Sequence, residues 1–152
     1  MFANPVAEVD SLRVGQDIIG WVPNPFDPKQ VKESTSSVEL PTDLLDIRVE
    51  VEFGNDGEFE LGVPGATVLY DVARRTLTCN GTSTRLDPLG GSIKLRILVD
   101  RGSIEVFAND GRVAISRALG ARTTPPRLTE RFRGEETRLR SFKVAEMGSA
   151  WR

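Results

Sequence analysis

From Leu45 onward, apolar and polar residues alternate with period two. Leu45, Ile47, Val49, Val51 and Phe53 are interleaved with Asp46, Arg48, Glu50 and Glu52, the pattern of a strand with one face buried and one wet. Asn55-Asp56-Gly57 predicts a hairpin turn, after which Phe59, Leu61 and Val63 resume the alternation. Pro64-Gly65 turns the chain again, and Ala66 to Asp71 with Thr76 to Cys79 predicts a pair of strands around Ala73-Arg74-Arg75. The polar interval from Asn80 to Ser92, with Gly81, Pro88 and Gly90-Gly91, reads as a connecting loop. Asn80-Gly81-Thr82 fits a glycosylation acceptor, a triplet common by chance.

The strongest pattern spans Ile93 to Ser116. Lys94 to Asp100 reaches a tight turn at Arg101-Gly102, Ser103 to Ala108 returns, and Asn109-Asp110-Gly111 turns into Arg112 to Ser116. With two-residue hairpins, Leu95, Ile97, Val99, Ile104, Val106, Ala108, Val113 and Ile115 all fall on one face. A slip of one residue would send that set into water. The opposite face carries Arg96, Leu98, Asp100, Ser103, Glu105, Phe107, Ala114 and Ser116.

Consecutive prolines make Arg122 to Pro126 a loop. Arg127 to Phe132 and Leu139 to Met147 predict two more strands joined through Gly134, and the Pro- and Asn-rich stretch Asp17 to Lys32 a surface excursion. Close strand spacing, frequent turns and no sustained helical period predict two antiparallel sheets packed face to face.

Composition narrows the chemistry. A chain of 152 residues suits one globular domain, so residues 1–152 are expected to form a single unit. There is no histidine and one cysteine, Cys79, which excludes Ser–His and Cys–His catalysis, an internal disulfide and a Cys-based zinc site. A net charge of -2 gives no reason to expect nucleic acid. No run approaches the roughly 20 apolar residues that span a bilayer, and Met1 to Asp10 lacks the features of a secretory signal. No membrane contact is expected; a segment of a secreted protein would look the same, so location stays open. Glu50-Val51-Glu52 and Glu135-Glu136 lack the clustered oxygen ligands of a calcium site, and no metal or cofactor is expected.

Leu95-Arg96-Ile97-Leu98-Val99-Asp100-Arg101-Gly102-Ser103-Ile104-Glu105-Val106-Phe107-Ala108-Asn109-Asp110-Gly111 resembles the hairpin signature of the C-terminal domain of glycoside hydrolase family 32, which includes invertases, levanases and inulinases. Asn4 to Arg13 is similar to the start of that domain, Thr67 to Asp71 to one of its strands, and Glu146 to Trp151 to its Ser-x-Trp ending. The resemblance implies an all-β, two-sheet antiparallel β-sandwich of jelly-roll, concanavalin-like form, related to the fructan-binding modules of carbohydrate-binding family 66. It also implies a catalytic propeller in the same parent protein, whose Asn-Asp-Pro, Arg-Asp-Pro and Glu-Cys elements do not occur here. Asn24 to Pro28 and Arg85 to Pro88 have the wrong spacing, and Thr78 precedes Cys79. By that resemblance the chain is not an enzyme on its own. Ser116-Arg117-Ala118-Leu119-Gly120 departs from the family's Thr-Arg-Ile-Phe-Pro, and Gly20 to Leu40 has no recognisable counterpart.

A sugar site combines charged groups that match hydroxyls with an aromatic or apolar wall. Glu105, Asp100 and Arg96 share one face of the hairpin, with Arg101 in its turn and the hydroxyls of Ser103 and Ser116 nearby. Trp21, Tyr70 and Trp151 are the candidate stacking platforms; Trp21, in a Pro-rich loop, is the better one, and Trp151 belongs in the core or a domain seam. Structural readings stand beside these: Asp100 capping its turn, Glu105 and an arginine forming a structural ion pair beneath the propeller interface, serines in cross-strand hydrogen bonds. Asp100 and Glu105 as a glycosidase pair is the weakest reading, since the resemblance puts catalysis elsewhere. Three functions follow: accessory module of a β-fructosidase, module binding a β-fructan or fructoside such as levan, inulin or sucrose, or structural sandwich. An exposed apolar seam would favour the first, a concave polar pocket the second.

Overall fold

A computed structural model describes residues 13–21, 33–40, 42–54, 56–120, 126–134 and 137–147, with the backbone alone at 13–21, 33–36, 38 and 147. Among the described residues there are twelve strands: β1 (Arg13–Trp21), β2 (Glu33–Glu39), β3 (Leu45–Glu52), β4 (Glu58–Val63), β5 (Ala66–Asp71), β6 (Thr76–Cys79), β7 (Thr82–Arg85), β8 (Ser92–Val99), β9 (Ser103–Ala108), β10 (Val113–Ala118), β11 (Arg127–Arg133) and β12 (Arg138–Met147). They make two six-stranded antiparallel sheets, a front sheet in the order β1-β12-β3-β8-β9-β10 and a back sheet in the order β2-β11-β4-β5-β6-β7. This is the expected all-β sandwich.

The alternation places the core. Ile47 pairs with Ile97, Val49 with Leu95 and Val51 with Ile93 across β3 and β8, and all six are buried. From the back sheet Phe59, Leu61, Val68, Tyr70 and Leu77 fill the same interior. Each such side chain contributes about 1.5–3 kcal/mol by leaving water. Tyr70 hydroxyl donates to Leu86 carbonyl at 2.6 Å, which satisfies its one polar atom. Burial, with the negative charge of Asp87 nearby, pushes the phenol up to about 12. The unfolded phenol ionises first, so this contribution is intact below about pH 10 and fades as pH rises toward 12.

Four local expectations are corrected. The hairpin expected at Asn55-Asp56-Gly57 is not formed, because β3 and β4 lie in different sheets and the chain crosses from front to back between them. That crossing depends on close backbone approach: a Cβ on Gly134 would lie 2.9 Å from Gly57 Cα, and both glycines have positive φ, 143° and 120° at Gly57 and Gly134. Asn80 to Ser92 is not one loop, since β7 pairs with β6 and Ser92 opens β8. Asn80-Gly81 is the two-residue turn between β6 and β7, with both residues at positive φ, 44° and 85°. Its Asn80 amide holds the neighbouring hairpin, accepting from Thr67 N at 3.1 Å and donating to Gly65 O at 3.2 Å. Residues 17–21 do not wander over the surface; they belong to β1, at the edge of the front sheet. Finally, Asp46 is not on a wet position but is 1% exposed.

Trp151, the Glu135-Glu136 pair and residues 22–32 and 121–125 lie outside the described residues. The strands expected after residue 126 are present as β11 and β12, one in each sheet.

Candidate functional site

The predicted meander has the predicted register. Leu95 pairs with Ala108, Ile97 with Val106 and Val99 with Ile104, while Ala108 pairs with Val113 and Val106 with Ile115. The expected inner set is buried, except that Val113 is half-buried, and the polar set forms the outer face of the front sheet. Antiparallel pairing then arranges that face in rows. One row runs Ala145, Asp46, Leu98, Glu105, Ser116; the next runs Lys143, Arg48, Arg96, Phe107, Ala114.

Between these rows lies a buried fork. Arg96 Nε donates to Asp46 Oδ1 at 3.1 Å and Nη2 to Oδ2 at 3.0 Å, with Arg48 Nη2 3.8 Å from Oδ2. Arg96 roofs a carboxylate flanked by Leu98 and Ala145, so Asp46 has no side-chain exposure and Arg96 only 18%. Bidentate geometry of this kind makes the pair short and directional. The Arg96 guanidinium is therefore committed to structure, in place of the free sugar-reading role expected for it.

The other expected site residues divide. Asp100 Oδ1 accepts from Arg101 N at 2.6 Å, and Asp100 N donates to Ser103 O at 2.9 Å, so Asp100 serves its turn. Arg101 is exposed, with Nε 3.8 Å from Asp43 Oδ1. Ser103 is exposed opposite Ala118. Glu105 and Ser116 are brought together, directly opposite on β9 and β10, both exposed. Among the described residues the Glu105 carboxylate has no hydrogen-bond or ion-pair partner. Trp21 is not with them: it ends β1 opposite Phe142, four strands from β9, about 19 Å at ordinary strand spacing. It is also not in the Pro-rich loop expected for it.

Sequence reasoning missed a groove of about 340 Å3 beside these residues, lined among others by Arg48, Glu50, Lys94, Arg96, Phe107 and Asp110. Its rim is the turn at 109–112. Asn109, Asp110 and Gly111 all have positive φ, 50°, 59° and 84°. Asn109 stabilises this: it is 2% exposed, its Oδ1 accepts from Lys94 N at 2.9 Å and its Nδ2 donates to Asp87 O at 3.0 Å. The Asp110-Gly111 signal was legible, but the groove also needs the β3–β8 pairing, which brings Glu50 opposite Lys94.

Burial also pushes the Glu130 carboxyl upward. Glu130 is opposite core residue Leu61 and so stands on the inner side of the back sheet, away from Glu105, Glu50 and Asp110. Desolvation pushes the exposed Asp87 carboxyl up, but the hydrogen bonds and charges of Arg85 and Arg75 together outweigh it and hold it low.

Comparison with known proteins bears on the family and the fold. Residues 8–122 match the family described as glycosyl hydrolases family 32 C terminal. A levanase of Bacillus sp. (strain L7) is 39% identical over 67 residues, covering 44% of this chain and 7% of the levanase. The structure of β-fructofuranosidase from Schwanniomyces occidentalis complexed with fructosyl-erythritol superposes with a TM-score of 0.71 at 16% identity, over 97% of this chain and 36% of that one. Exo-inulinase from Aspergillus awamori gives 0.71 at 15% identity, over 94% and 31%. At those identities the likeness is one of fold, and this chain spans about a third of each solved relative.

Proposed function

Because the chain belongs to the C-terminal domain family of the family 32 glycosyl hydrolases, we propose that it is the noncatalytic accessory β-sandwich of a β-fructosidase, with residues 1–152 forming one module. The match over residues 8–122 carries this reading. A glycosidase centre needs two carboxyl groups flanking one bond, one of them with a raised pKa. Among the described residues that burial affects, the raised carboxyl, Glu130, and the outer-face carboxylates are on different sides of the fold, which supports a noncatalytic role. A catalytic propeller in the parent protein is the expected partner. Among the described residues Leu89 is the exposed large apolar side chain, so no broad apolar seam for that partner exists among them.

The chain alone is expected to release no fructose from sucrose, levan or inulin. Sustained release, absent from a heat-treated control and reproduced in independent preparations, would overturn the noncatalytic reading.

The exposed, unpartnered Glu105 beside Ser116 favours a second property, contact with a fructoside on the outer face of the front sheet. A carboxylate accepts from two sugar hydroxyls, and a serine hydroxyl both donates and accepts. Glu105→Ala is expected to lower affinity for levan by roughly tenfold or more with an unaltered thermal transition. Calorimetry giving equal affinities for both proteins would remove Glu105 from the site.

A further inference from the structure

We propose that the groove between β3, β8 and the turn at 109–112 is a subsite for a neutral sugar ring of a fructoside, read by Glu50, Lys94 and Asp110 against the apolar wall of Phe107; this rests on the sugar-contacting reading above. Its volume of about 340 Å3 lies in the range of small-molecule sites. The decisive feature is how its charges are disposed. Glu50 and Lys94 are directly opposite on adjacent strands, yet no ion pair joins them, and among the described residues neither side chain has a hydrogen-bond or ion-pair partner. Elsewhere, cross-strand opposite charges close on each other: Arg131 meets Glu60 at 2.8 Å and Arg138 meets Glu52 at 3.4 Å. The groove thus keeps an acceptor and a donor apart, with space between them.

Vicinal hydroxyls suit that gap, since one can donate to the Glu50 carboxylate while its neighbour accepts from the Lys94 ammonium. The mixture of signs selects the ligand class. Glu50 and Asp110 disfavour an anion, Lys94 and Arg48 disfavour a cation, and a neutral polyol satisfies both. Phe107, half-buried, offers a ring surface to the C–H face of a sugar. The walls are set in advance by the Arg96–Asp46 fork and by the Asn109 hydrogen bonds, so little ordering is required on binding. Glu105 is two residues from Phe107 along β9, about 7 Å, so a ligand of two or more units reaches both.

The test is calorimetric titration of levan oligosaccharides into the wild-type chain, Glu50→Gln, Lys94→Met, Phe107→Ala and Glu105→Ala. Each groove variant is expected to lose affinity by roughly tenfold, and the two surface variants Glu50→Gln and Lys94→Met to keep the wild-type thermal transition. No binding by wild type would overturn the sugar-contacting reading and this subsite with it. Binding that Glu105→Ala weakens while Glu50→Gln and Lys94→Met do not would overturn the subsite alone. Inorganic phosphate binding more tightly than the oligosaccharide would overturn the assignment of a neutral ligand.

Discussion

Arg96→Met is expected to destabilise the sandwich by about 4 kcal/mol, because methionine keeps most of the cover over the Asp46 carboxylate while removing both hydrogen bonds of the fork. Asp46 has no side-chain exposure, and Arg48 is 3.8 Å from it, too far to replace the two hydrogen bonds of the fork. Asp46→Ala is expected to cost less, about 3 kcal/mol, since Arg96 retains some exposure and can turn toward solvent. The double variant Asp46→Ala with Arg96→Met removes both charges and is expected to cost well below the sum of the two single losses. Urea denaturation of the four proteins completes the cycle. Additive losses in the double variant would mean that the fork is not an energetic unit.

Asn109→Ala is expected to cost about 3 kcal/mol, from two separable causes. Alanine at φ 50° lacks the local hydrogen bonding that lets asparagine occupy the left-handed region. It also strips Lys94 N–H of the Asn109 Oδ1 acceptor and Asp87 carbonyl of the Nδ2 donor. Asn109→Gly relieves the first cause alone and is expected to recover about 1 kcal/mol. Equal stability of the Ala and Gly variants, measured by denaturant midpoint, would rule out the conformational part.

These two positions also mark how far the sequence is legible. The meander from Ile93 to Ser116 was readable with its sidedness, because Arg101-Gly102 and Asp110-Gly111 fix two local registers and a slip would expose eight apolar side chains together. Alternation tells which face of a strand is apolar, but not which sheet it joins. Asn55-Asp56-Gly57 therefore resembled a hairpin although the chain there changes sheets. Asn80-Gly81 is a hairpin signal inside a polar interval that reads as one loop, because β7 carries no apolar alternation to mark it as a strand.

At the site, Glu105 and Ser116 were placed together because their pairing is local. Asp46 looked wet because period two assigns it to the outer face, which is correct; burial comes from Arg96, separated by fifty positions and delivered by β3–β8 pairing. The same long-range pairing creates the Glu50–Lys94 gap, so neither the fork nor the groove could be found from local pattern. Trp21 was misplaced for a related reason, since the partner of β1 is β12, at the other end of the chain.

The proposed contact of a fructoside with the outer face of the front sheet, without cleavage, is open to one direct test. Titrating levan oligosaccharide into isotope-labelled protein and following backbone amide resonances tests both halves in one sample. The expected result is shifts concentrated at residues 94–96 and 105–111, with the oligosaccharide spectrum unchanged over time. Shifts confined to the back sheet, no shifts at saturating ligand, or the growth of free fructose signals would contradict it.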